Sequence, residues 1–132
     1  MDLYKSTAHE LHEKLVKKEI SSVELTNNVY DRIAEVEKDV KAYVTLDKEN
    51  ALAQAAKVDK MIAAGEAIAP LAGIPGAIKD NISTKGLRTT CSSKMLEYFS
   101  VFICYSNSHD VFSLFLHIIY WLRGFTAVFT AW

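Results

Sequence analysis

The sequence is divided by an abrupt change in side-chain chemistry at Phe99. Of its 132 residues 31 carry a formal charge, and 29 of those lie within residues 1–100. Residues 101–132 hold only Asp110 and Arg123, yet they carry nine of the fourteen aromatic side chains. A packed globular domain interleaves wet and dry faces along its whole length, since each helix or strand needs both. The two parts, 1–99 and 100–132, therefore follow different folding rules.

Within the first part, helix signals come early. Thr7 and Glu10 fit a capping box, in which each side chain satisfies a free backbone N–H. Leu11, Leu15 and Val16 then share a face, and Lys17 and Lys18 suit the negative end of the helix dipole. Ser21 and Glu24 repeat the capping signature. Leu25, Val29, Ile33 and Val36 follow at helical spacing, with Asp31, Arg32, Glu35 and Lys38 on the wet face. Ala42 to Leu46 is short and β-prone. Asp47 is placed to cap a third helix running through Ala64, with Leu52, Ala56 and Met61 facing inward and Gly65 as its stop. Apolar stripes of this kind are packing faces rather than cofactor sites.

Composition excludes several classes of function. The formal net charge of −1 leaves no basic footprint for nucleic acid. Cys91 and Cys104 are the only cysteines. Without a secretory signal they read as reduced thiols of a cytoplasmic protein, and neither has zinc-site spacing. The start, with Glu10 and Glu13 arriving early, has neither the apolar run of a signal peptide nor the acid-poor character of a transit peptide. His9 and His12 are three apart on a helix but lack a third ligand, so they read as surface histidines.

Chemistry concentrates after Pro70. Pro70 to Gly76 is a constrained, extended approach. Gly76-Ala77-Ile78 reads as a buried strand that runs into Lys79-Asp80-Asn81. A lysine set among small apolar residues loses hydration of its ammonium and can serve as a general base. By spacing alone, Lys79 reads equally as a strand-end lysine reaching solvent or pairing with Asp80. Asp80 and Asn81 either orient the lysine or cap the next turn. Thr84 to Leu87 suggests a turn. The hydroxyls of Thr89, Thr90, Ser92 and Ser93 suit a polar substrate or, as is commoner, nearby backbone groups. No nucleophile-elbow, Walker or dinucleotide motif is present.

The run from Pro70 to Phe99, with its Lys79-Asp80-Asn81 core and the longer stretch Thr84 to Lys94, closely resembles the amidase signature family. Within it, the A subunits of glutamyl-tRNA(Gln) amidotransferases are the branch most similar, and Lys18-Glu19-Ile20-Ser21 and Ala42-Tyr43 extend the likeness over residues 1–99. The resemblance implies an α/β fold, a mixed sheet between helical layers, of which this chain would hold the N-terminal helices and first strands, incomplete. It also implies a Ser–cis-Ser–Lys triad in which Lys79 is the general base. A serine hydroxyl is a poor nucleophile until an adjacent base takes its proton. The activity implied is glutamine hydrolysis supplying ammonia, the glutaminase part of a carbon–nitrogen ligase that converts Glu-tRNA(Gln) to Gln-tRNA(Gln). Subunits B and C would complete a heterotrimer, with ATP and magnesium used by the partner subunit and no cofactor or metal held by this chain.

The sequence departs from that pattern in one respect. Both family serines lie in a Gly/Ser-rich signature downstream of the lysine, and no such stretch occurs here. The expectation is therefore a truncated chain, inactive alone, with residues 100–132 as out-of-frame or read-through sequence. A membrane segment and a genuine alternative C-terminus or buried helix are the other two readings of the tail. Val111 to Leu122 is short for a spanning helix, and Arg123 interrupts it. A stand-alone amidase and a non-catalytic interaction fragment are the rival functions.

Overall fold

Capping chemistry sets the helices where the sequence places them. A computed structural model describes residues 3–84, 86–100 and 127–131. Helix α1 (Ala8–Val16) begins with the expected box: the Thr7 amide donates to Glu10 Oε2 at 2.8 Å, and the Glu10 amide donates to Thr7 Oγ1 at 3.3 Å. The Thr7 backbone N–H, and then its hydroxyl, hold the Glu10 carboxyl below the usual carboxylate range. The helix closes through left-handed Lys18 (φ 59°), whose amide donates to Leu15 O at 3.0 Å while the Glu19 amide donates to Lys14 O at 2.9 Å. Leu11 and Leu15 are buried. Val16, expected beside them, is 53% exposed because it lies about 100° further round the helix than Leu15.

Helix α2 (Ser22–Val40) is capped by Ser21, whose Oγ accepts the Glu24 amide at 3.0 Å. The next two free amides find a partner far along the chain. Ser22 N donates to Asp59 Oδ1 at 2.7 Å and Val23 N to Asp59 Oδ2 at 3.1 Å. Ser22 Oγ in turn donates to Gly73 O at 2.7 Å, and Thr26 Oγ1 donates to Ser22 O at 2.8 Å. Gly73 has φ +81°, and a Cβ there would stand 3.0 Å from both Ser22 Oγ and Val58 Cγ1. Left-handed backbone and close approach both demand glycine at this point. The buried face comprises Ser22, Leu25, Thr26, Tyr30 and Ile33. Of the expected stripe, Leu25 and Ile33 are buried while Val29 and Val36 are only half-buried.

Strand β1 (Tyr43–Leu46) leads to helix α3 (Lys48–Ala63), capped by Asp47. The buried face of α3 is Ala51, Ala55 and Val58, not the expected Leu52, Ala56 and Met61. Methyl-sized side chains let α2 and α3 approach closely, so the alanines go in and the longer residues flank the seam. Gly65 (φ 79°) ends the helix as expected: its amide reaches Ile62 O at 3.1 Å and the Glu66 amide reaches Met61 O at 3.0 Å.

The architecture is α/β. Strands β1, β2 (Pro75–Lys79) and β3 (Ala127–Ala131) form a sheet in the order β1-β3-β2. The strand between β1 and β2 thus comes from the segment read as a tail unrelated to residues 1–99. The chain divides into two units, one built on Met1–Ala77 with Val128–Trp132 and one on Ile78–Ala127. In the first, Tyr30, Ile33 and Ala51 form one apolar cluster with Val29, Tyr43 and Ala77, and Leu3, Leu11 and Leu25 form another with Ile20 and Ile74. In the second, Ile78 and Leu87 are buried beside polar Asp80, Thr89 and Thr90. Among the described residues no helix is long and apolar enough to cross a membrane; the apolar run Val111 to Leu122 lies outside them.

Two outcomes follow from this packing. Asp59→Ala strands the first amides of α2, and its urea midpoint is expected to fall by an amount equivalent to about 1–2 kcal/mol, the usual cost of losing a helix cap. Desolvation, followed by the charge of Asp47 and by Tyr43, pushes the Tyr30 phenol up to about 12 from its ordinary value of 10.0. The unfolded chain therefore releases that proton first, and stability is expected to fall as pH rises from about 10 to 12. Tyr30→Phe should shallow that alkaline slope in pH-dependent denaturation.

Candidate functional site

The second unit opens where β2 ends. Lys79 is the last residue of β2 and is half-buried. Its carbonyl accepts the Ile82 amide at 2.9 Å, which turns the chain at once. Among the described residues, no ion pair joins the Lys79 amine to a carboxylate, Asp80 included.

Asp80 is instead 1% exposed, and its carboxylate faces a loop ten to twelve residues on. Thr90 N donates to Oδ1 at 2.9 Å, Thr90 Oγ1 donates to Oδ2, and Ser92 N donates to Oδ2 at 3.3 Å. The Asp80 carbonyl takes the Cys91 amide at 3.0 Å. Three successive residues thus spend their donors on one aspartate. Buried carboxylates persist only when so supplied. The loop adopts left-handed backbone at two non-glycine residues, Cys91 (φ 50°) and Ser92 (φ 57°).

The remaining sequence candidates separate clearly. Asn81 is exposed. Ser93 caps the short 3-10 turn Lys94–Leu96, its Oγ accepting the Met95 amide at 3.3 Å. The loop is closed further on by an antiparallel bridge between Arg88 and Ser100 and by the Thr89 amide donating to Phe99 O at 2.9 Å. Thr89 Oγ1 is buried without a hydrogen-bond partner. The Leu87 amide donates to Thr84 O at 3.1 Å, the turn expected there. Cys91 is exposed, and Cys104 lies outside the described residues. In the first unit, His9 pairs with Glu13 at 3.2 Å on the surface, while His12 is half-buried. Among the described residues no three His, Cys, Asp or Glu side chains gather as a metal site would require. The pairing of Asp80 with Thr90 was not legible beforehand. Its one sequence signal is an acid next to the lysine with a hydroxyl run ten residues later.

A family model for amidases matches residues 24–101, which include every element of this arrangement. The chain belongs to the amidase family. Similar curated relatives are glutamyl-tRNA(Gln) amidotransferase subunits A. That of Desulforamulus reducens is 59% identical over 99 residues, covering 75% of this chain and 20% of the relative. That of Heliobacterium modesticaldum is 58% identical over 99 residues with the same coverage. The chain spans about a fifth of the length of the curated relatives it matches. Among solved structures, native peptide amidase from Stenotrophomonas maltophilia superposes with a TM-score of 0.68 at 29% identity, over 73% of this chain and 20% of that one. Amidase membership thus covers the lysine, the aspartate and the pinned loop together.

Asp80→Ala is expected to leave the amides of Thr90, Cys91 and Ser92 unprotected. Hydrogen exchange there should quicken while α2 amides such as Leu25 keep their protection. Unpairing buried donors should cost about 1–3 kcal/mol of stability, read by denaturant titration.

Proposed function

We propose that this chain is the lysine-bearing N-terminal part of the glutaminase subunit of a glutamyl-tRNA(Gln) amidotransferase. The observation that carries the reading is an uncommitted amine at the end of β2, beside a loop pinned by Asp80, in a sequence 59% identical to subunits A. A carboxylate partner would hold Lys79 as a spectator cation; an amine without one is available to move a proton.

In this reading Lys79 takes a proton from a bridging serine, which takes one from the nucleophilic serine. The nucleophile attacks the side-chain amide carbon of glutamine, and the tetrahedral adduct collapses with release of ammonia. Water then hydrolyses the acyl-enzyme to glutamate. Both serines belong to a Gly/Ser-rich stretch, and the five glycines here are too scattered to form one. These 132 residues therefore supply the base and not the nucleophile. Ammonia passes to a partner subunit, where ATP and magnesium activate glutamate on tRNA(Gln). Subunits B and C are the partners, and the cytoplasm, where aminoacyl-tRNA is made, is the location.

The purified chain given glutamine is expected to release no ammonia above background, and mixed with subunits B and C it is expected to be retained by a tagged partner. Lys79→Ala should leave that retention unchanged. Ammonia release by the chain alone, lost in Lys79→Ala, would overturn the reading in favour of a stand-alone amidase.

A further inference from the structure

A base that moves a proton must be held in one place without being neutralised by its neighbours. Asp80 meets both conditions. Its own carbonyl and carboxylate are fixed by Thr90, Cys91 and Ser92, and the Lys79 carbonyl is fixed by Ile82. The peptide from which the Lys79 side chain departs is therefore tied on both sides. The negative charge of Asp80 is spent on N–H and O–H donors of the loop, so the adjacent amine keeps no carboxylate partner.

The loop has little reason of its own to adopt this shape. Left-handed backbone at a non-glycine residue costs on the order of 1 kcal/mol, and Cys91 and Ser92 both adopt it. Holding them brings three donors onto one buried carboxylate. A contact whose only effect was to close a turn would not need strain at two residues.

We propose that Asp80 is the positioning residue for Lys79, acting through a clamp on Thr90 and Ser92 and touching neither substrate nor the reacting atoms. The inference deepens the glutaminase reading and rests on it for its purpose, but the geometry it invokes can be tested without turnover.

The test measures the rate at which a lysine-selective acylating reagent modifies Lys79 relative to exposed Lys57 on the same 132-residue chain, read by peptide mass spectrometry. Asp80→Asn places an amide N–H₂ against the Thr90 and Ser92 donors. Thr90→Val removes one hydroxyl at nearly constant volume, and Thr90→Ser restores it. The relative rate at Lys79 is expected to rise about threefold or more in Asp80→Asn and Thr90→Val, since small displacements of a held group have large kinetic effects. It should return to the original value in Thr90→Ser. Faster amide exchange at Thr90 and Ser92 with an unchanged Lys79 rate overturns the proposal, because the clamp would then hold only the loop. If Asp80→Asn unfolds the chain, Thr90→Val decides. Loss of α2 protection in Thr90→Val also overturns it, since the contact would then support the fold at large. A changed Lys79 rate in a chain that neither binds subunits B and C nor belongs to a glutaminase would leave the positioning role standing and remove the functional reading instead.

Discussion

The first unit depends on the satisfaction of one helix end. Two amides at the start of α2 donate to Asp59, and the Ser22 hydroxyl donates to the Gly73 carbonyl. Those few bonds tie α2 to α3 and to the segment that enters β2. Free N–H groups at a helix start must find acceptors when buried, and here the acceptors come from elements 37 and 51 residues away in sequence. Gly73 is the geometric condition for this, since any side chain there would strike Ser22 and Val58. The core clusters around Leu25 and Tyr30 then fill the faces that these bonds have brought together.

The second unit rests on a different kind of joint. Asp80 is a buried acid without a buried cation, stabilised by backbone amides and one hydroxyl. Such a site tolerates little substitution, since each donor would be left unpaired without its acceptor. It also explains how a lysine can directly precede an aspartate without forming an ion pair with it. Membership of the amidase family gives that separation a use, because the family's chemistry employs a lysine as a base.

Local rules made much of this legible beforehand. Thr7, Ser21 and Asp47 each cap the helix their type and position announce, and Gly65 stops α3 through the two bonds expected of it. The seam of α3 was misread because its apolar residues are mostly alanines, whose periodicity points to no single face. Burial was decided by how closely α2 could approach, which selects Ala51 and Ala55 over the bulkier Leu52. Polar Ser22 and Thr26 entered the core for a reason no hydropathy pattern carries: their acceptors lie on other segments or one turn back. Lys79 could be located from its strand, but the state of its amine depended on where the Asp80 carboxylate turned. The partner of that carboxylate lies beyond the range of any capping rule. The strand Ala127–Ala131 was missed because the change in composition at Phe99 marked everything after it as foreign.

The reach of the two joints in sequence has a consequence for the order in which the chain takes shape during synthesis. Every printed bond to Asp80 closes a loop of no more than twelve residues, a short circuit whose entropic cost is small. Once Ser92 has cleared the ribosome, the turn that carries Lys79 can close on its own. The Ser22 junction must instead wait for Asp59 and Gly73 to emerge, long after α2 itself is complete. The lysine turn can thus reach its final geometry while later segments are still being translated, serving as a finished edge against which they assemble.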